Sequence, residues 1–124
     1  MDWLTWTLFG GGIAAFLIFK KLAFVSPAKA RDLLKGGGIV IDVRSKAEFK
    51  GGHLTRAVNI PLDQLSADIS RVAPDKTRVL LLHCLGGGRS VIGKATLKKM
   101  GYSNTVNLGS YRRAEKILRA QVVP

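Results

Sequence analysis

A chain of 124 residues with 20 Lys and Arg against 8 Asp and Glu, net charge +12, has room for one ordinary domain, which excludes a tandem arrangement. Its 47% hydrophobic and 23% charged residues are those of a folding chain, not a disordered one, and the cationic excess favours anionic partners without choosing among small anions, lipid headgroups and nucleic acid. The single cysteine, Cys84, and two histidines, His53 and His83, exclude an intrachain disulfide and a four-ligand Cys/His zinc site, so the thiol is structural or reactive.

The front of the chain, Trp3 to Phe19, is an uncharged apolar run followed directly by Lys20 and Lys21. As a helix at about 1.5 Å per residue it reaches roughly 26 Å, close to the ~30 Å hydrocarbon layer, and Trp3 and Trp6 stand where aromatic residues meet headgroups. A membrane anchor over residues 1–21 is expected, with a domain over 22–124. Two alternatives are a cleaved signal peptide and a buried core helix. A secretory signal needs a basic leading region, and the only charge before the apolar run is Asp2. Basic residues on the C-terminal flank (Lys20, Lys21, Lys29, Arg31, Lys35) orient the domain toward the cytoplasm, with a bacterial inner membrane as the expected setting.

From Leu22 onward short β-type runs alternate with helical segments, the pattern of an α/β domain with a parallel sheet. Ala23-Phe24-Val25 reads as a first strand, and Ser26-Pro27 as the cap and first position of a helix through Lys35, stopped at Gly36 to Gly38. Ile39-Val40-Ile41 is a β-branched run suited to a strand buried on both faces, delivering Asp42, Val43 and Arg44 to its carboxyl end. Ser45 with Glu48 forms a capping-box pattern, and Ala57 to Ile60 is a further strand ended by Pro61. Leu62 to Val72 carries a helical apolar stripe, Val79 to Leu82 is the strongest buried-strand signal, and Ser90 to Met100 is a helix stopped by Gly101. Thr105 to Leu108 is a last strand and Tyr111 to Gln121 a last, basic helix.

Chemistry concentrates in His83-Cys84-Leu85-Gly86-Gly87-Gly88-Arg89-Ser90, a strand end, a glycine-rich turn and a helix start. Glycines permit positive φ and close backbone approach, so the amides from Leu85 to Ser90 can converge on one point as an anion nest. The helix N-terminus adds partial positive charge and Arg89 a full one, which together favour a thiolate at Cys84 and hold an anion attached to or approaching the sulfur. A small buried hydrophobe is the plain alternative for the cysteine. A nucleotide cradle of the P-loop type is excluded because the run lacks its lysine. His83 alternates to the other side of the strand, and His53 reads as a turn-stabilising residue.

Cys84-Leu85-Gly86-Gly87-Gly88-Arg89-Ser90 resembles the C-x-x-G-x-R-S loop of the rhodanese-like sulfurtransferases. Asp42-Val43-Arg44 is similar to that family's D-x-R signature, and Glu48-Phe49, Gly52-His53-Leu54, Ala57 and Asn59-Ile60-Pro61 resemble its second signature; together they cover roughly Ala23 to Leu118. The resemblance implies a three-layer fold with a five-stranded, mainly parallel sheet and helices on both faces, the reactive loop following the fourth strand. It implies transfer of sulfane sulfur from a small anionic donor such as thiosulfate, through a Cys84 persulfide, to cyanide or to a thiol or protein acceptor. In that reading Cys84 and Arg89 are catalytic, Leu85, Gly86, Gly87, Gly88 and Ser90 hold the substrate, and Asp42 and Arg44 brace the loop, with no metal or other cofactor. Four residues separate Cys84 from Arg89, where related phosphatases have five, and the tighter ring suits a sulfur atom. The alternative role is a membrane-tethered sulfur carrier or docking module that uses surface basics such as Arg112, Arg113, Lys116 and Arg119. Nucleic acid is not an expected partner, since no aromatic interleaving or recognised motif accompanies the charge.

Overall fold

The computed structural model describes residues 2–122, the side chains of residues 20–22 and 120–122 excepted, so the side chains of the basic pair Lys20 and Lys21 lie outside the described residues. The apolar front forms α1 (Trp3–Ala23), whose large apolar side chains from Trp3 to Phe19 are each more than half exposed. None of them enters a core cluster. The expectation of a spanning helix finds no support among the described residues, where no helix is long and apolar enough to cross a membrane. The uncharged run ends at Phe19, about 26 Å at the helical rise, a little short of the ~30 Å hydrocarbon layer.

The expected strand at Ala23-Phe24-Val25 is corrected. Ala23 ends α1, and Val25 makes one ladder-like contact, its amide donating to Asn107 O at 2.8 Å, while its carbonyl accepts from Arg113 Nη2. Ser26 then caps α2 (Pro27–Lys35), its hydroxyl accepting from Lys29 N, with proline in the first turn. The sheet therefore has four strands: β1 (Ile39–Asp42), β2 (Ala57–Asn59), β3 (Leu80–His83) and β4 (Thr105–Gly109). They pair in the order β2-β1-β3-β4, all parallel, with Asp42 opposite His83 in register. The reactive loop consequently follows the third strand, not the fourth.

Helices fill both faces. The capping box at Ser45 and Glu48 forms as expected and opens α3 (Lys46–Lys50). The segment after Pro61 begins as a single 3₁₀ turn, Leu62–Gln64, so α4 (Leu65–Val72) starts three residues later than the apolar stripe suggests. Then come α5 (Gly88–Lys99) and α6 (Tyr111–Val122). Strand alternation sorts the core: Ile41, Leu80 and Leu82 pack with Leu65, Ile69 and Leu97 of α4 and α5, whereas Val40, Leu81 and Leu108 pack with Ala30, Leu34, Ala114 and Ile117 of α2 and α6. Gly93 lets α5 close on the sheet, since a methyl there would stand 2.9 Å from Leu82 Cδ2 and 3.3 Å from Leu65 Cδ2. This tight docking fixes where the N-terminus of α5 points, which is the carboxyl end of β3.

Candidate active site

Period-two alternation along β3 carries Cys84 onto the same face as Leu80 and Leu82, against α4 and α5, and turns His83 to the opposite face. Cys84 is 1% exposed and its amide donates to Gly109 O at 3.2 Å. Its sulfur accepts from Gly87 N at 3.0 Å and lies 3.6 Å from Ser90 Oγ, whose hydroxyl donates to Gly87 O. Gly87 holds φ +98°, in the left-handed region, and caps α5. A side chain there would be strained by the backbone and would meet Phe24 Cζ at 3.0 Å, so only glycine allows the turn that aims its N–H at the sulfur.

The amides of Leu85, Gly86, Gly88, Arg89 and Ser90 have no protein acceptor among the described residues, and the last three are the first-turn donors that any helix leaves open. The Gly87 amide on the sulfur, the open donors of the same loop and the positive end of α5 together suit the loop to negative charge at Sγ. Leu85 is exposed at its lip. The loop is tied to the next layer by Tyr111 N, which donates to Leu85 O at 3.1 Å.

The Arg89 guanidinium pairs twice with Glu48, Nη1 to Oε1 at 2.6 Å and Nη2 to Oε2 at 2.9 Å, and lies near enough to Cys84 for the two groups to interact electrostatically. These bonds, with the capping bond from Ser45 N, hold the Glu48 carboxyl down to about 2. Glu48 is the functional neighbour that sequence reasoning missed: besides closing the capping box it is the counter-ion of the loop arginine. The signal was there in the acidic first position of the second signature.

Asp42 and Arg44 form a buried pair. Arg44 Nη2 donates to Asp42 Oδ2 at 2.8 Å and to Gly52 O at 2.8 Å, and Arg44 N closes onto Asp42 Oδ1 at 2.9 Å. Its bonds to the Asp42 carboxylate are the main reason the Arg44 guanidinium titrates above its ordinary value. Asn59 Nδ2 bridges the carbonyls of both residues. The guanidinium lies over the Tyr111 ring, 4.8 Å from its centre, and Tyr111 carries the amide bound to Leu85, so the pair touches the loop through one intermediate residue. His83 is wholly buried, its Nε2 3.8 Å from Asp42 Oδ2 without a hydrogen-bond partner, and burial pushes its pKa down. His53 stacks on Phe49 at the surface, with Nδ1 2.9 Å from Phe49 O. Among the described residues no group of His, Cys, Asp or Glu is placed to hold a metal ion.

Residues 26–113 match the model of the Rhodanese-like domain. The chain belongs to the rhodanese-like family. It is 33% identical over 72 residues to the thiosulfate sulfurtransferase PspE of Escherichia coli, covering 58% of this chain and 69% of that one. Among solved structures it is similar to the human single-domain sulfurtransferase TSTD1, with TM-score 0.64 and 27% identity over 76% of this chain and 96% of the other. Rhodanese-like domains also occur inside larger proteins of different activity. A tRNA uridine(34) hydroxylase of Erwinia tasmaniensis is 28% identical over 74 residues, and this chain spans 21% of its length. The family's cysteine loop therefore coincides here with the one place where a thiol, a set of open amides and a helix N-terminus meet.

Proposed function

We propose that this rhodanese domain is a sulfurtransferase that stores sulfane sulfur on Cys84. The observation that carries the reading is the position of Sγ, bonded by Gly87 N at 3.0 Å in a loop whose other amides from Leu85 to Ser90 have no protein acceptor among the described residues. With thiosulfate as donor, the Cys84 thiolate attacks the outer sulfur, the donor's S–S bond breaks, and sulfite leaves with the bonding pair. The product is a Cys84 persulfide anion whose charge rests on the outer sulfur. The loop amides stabilise that charge as oxyanion donors do, being fixed before the reaction begins. Cyanide or a thiolate then attacks the outer sulfur, the Cys84 Sγ–S bond breaks, and the thiolate is restored. Arg89 acts at the rim, with its charge shared with Glu48. Intact-mass analysis tests the reading: exposure to thiosulfate adds one sulfur to the protein, and Cys84→Ser takes none and loses thiosulfate:cyanide turnover. A Cys84→Ser protein with unchanged turnover refutes it.

The alternative of a sulfur carrier with little turnover draws on the near-complete burial of Cys84 and the occupied Arg89. It predicts a stable persulfide with steady-state rates far below the loading rate, whereas the enzyme reading predicts comparable rates.

We also propose that α1 holds the domain at a membrane, facing the cytoplasm as its basic C-terminal flank prescribes. The support is the exposure of apolar side chains on every side of α1, which water does not tolerate as a stable surface and lipid does. The full chain is expected to float with lipid vesicles in high salt, and Ile13→Asp with Phe16→Asp to abolish flotation. Flotation unaffected by that pair of charges refutes it.

A further inference from the structure

On the side of the loop away from Glu48, a cavity of about 360 Å³ opens between Gly86, Phe24 and the first turns of α6, lined also by Ser110, Arg112, Arg113 and Lys116. Arg113 is part of its wall: its guanidinium donates to Leu108 O at 2.8 Å and to Val25 O at 2.5 Å, with Phe24 beneath it at 5.4 Å. Arg112 and Lys116 stand one helical turn apart and exposed. Among the described residues neither pairs with a carboxylate, because the acidic residue of this helix, Glu115, is engaged by Arg119 at 3.4 Å. No carboxylate lines the cavity. On the opposite side of the loop, Arg89 is neutralised by Glu48 and Asp63 lies in the adjoining cleft. The two cavities beside the loop thus differ in charge, and the cationic one begins at Gly86, two residues from the nucleophile.

We propose that this cavity binds the carboxylates of the thiol that receives sulfur from Cys84, so that the preferred acceptor is a small acidic thiol. The inference rests on the sulfurtransferase reading. With carboxylates held by Arg112 and Lys116, the acceptor thiolate is placed beside the loop. It attacks the outer sulfur of the persulfide, the Sγ–S bond breaks, and Cys84 leaves as the thiolate the loop was built to hold; the acceptor departs as its own persulfide, with no external oxidant or reductant. Proximity gained from remote contacts of this kind appears in KM for the acidic acceptor.

The test uses the full chain, thiosulfate as donor, and mercaptosuccinate and 2-mercaptoethanol as dianionic and neutral acceptors, at low ionic strength. The quantity read is the ratio of kcat/KM for mercaptosuccinate over 2-mercaptoethanol, which compares wild type with the variant free of the thiols' intrinsic reactivities. In Arg112→Gln with Lys116→Gln, both at exposed positions, the ratio is expected to fall about tenfold, through KM, and the wild-type ratio to fall with added salt. A ratio unchanged by the substitutions, with turnover present, overturns the inference and leaves the sulfurtransferase reading standing. The same unchanged ratio with lost binding to anionic vesicles makes the patch a lipid contact and also overturns it. Absence of turnover with both thiols and cyanide, and of sulfur on Cys84, refutes the underlying reading instead.

Discussion

Gly87→Ala tests the geometry on which the loop's chemistry depends. The residue holds φ +98° and ψ −11°, and an L side chain forced into this region costs about 1–2 kcal/mol. Its Cβ would also lie 3.0 Å from Phe24 Cζ and 3.4 Å from Cε1, tight enough that the ring must give by a few tenths of an ångström. The combined loss of folding stability is on the order of 2 kcal/mol, which for a domain of this size lowers Tm by about 10 °C. Relief of the strain rotates the Gly87 peptide and takes its N–H off Sγ, removing the one amide bonded to the sulfur. Sulfur loading from thiosulfate is then expected to slow by roughly tenfold or more, less than the loss of a donor to a full oxyanion because sulfur is a softer acceptor. Thermal unfolding and single-turnover loading read the two effects separately. Repeating the substitution in a Phe24→Ala background removes the ring contact but not the dihedral cost, so a coupling of about 0.5–1 kcal/mol should appear between the two positions. A variant with wild-type Tm and loading within twofold of wild type would refute the assignment of Gly87 as the residue that aims the loop.

Glu48→Gln breaks the paired bonds to Arg89. Both side chains keep about a third of their surface in water, so the loss at neutral pH is on the order of 1 kcal/mol. Because the folded carboxyl titrates at about 2 against an ordinary 4.5, the pair's contribution is complete above about 4.5 and disappears as pH falls toward 2; urea unfolding of the two proteins should converge over that window, and a constant difference down to pH 2 would refute the pairing. The freed Arg89 should also lower KM for thiosulfate, and a raised KM counts against a rim role for that guanidinium. His83, whose pKa is lowered by burial from 6.5, binds its proton more readily in the unfolded chain, so stability should fall as pH drops below about 6.5; His83→Asn should flatten that slope, and an identical slope would exclude this group. Leu82→Ala, at a fully buried site against Gly93 of α5, should cost about 2–5 kcal/mol, and a loss under 1 kcal/mol would mean that α5 does not bear on the sheet as described.

What the sequence made legible follows from how local each interaction is. Ile39 to Ile41 and Leu80 to Leu82 are continuous apolar runs because both faces of a parallel strand are covered, and they were found as such. The caps at Ser26 and Ser45 act over three residues and were equally plain. Ala23 to Val25 has strand-like composition, yet its hydrogen bonding is decided elsewhere: α1 runs on through Ala23, and Arg113, far along the chain, takes the Val25 carbonyl. The cysteine loop was legible for the same local reason, since thiol, glycines and helix start are contiguous. The Arg89–Glu48 pair spans 41 residues and depends on how α3 and α5 sit on the sheet, so the carboxylate partner of the loop arginine was not legible from the loop itself.

One step links the core to the chemistry. The alternation that sends Leu80 and Leu82 toward α4 and α5 also decides that Cys84, and not His83, faces the N-terminus of α5. Packing and reactivity are thus set by one register. A single-residue insertion within β3 would exchange these faces, bringing His83 beneath the open amides and Cys84 beside Asp42, at the opposite side of the sheet from every donor of the loop. The domain could recover much of its apolar burial by repacking leucines, but not its thiol, because the loop's donors are held by the Gly87 turn and by Gly93 closing α5 on Leu82. The nucleophile is therefore specified by the hydrophobic pattern upstream of it as much as by the glycines that follow.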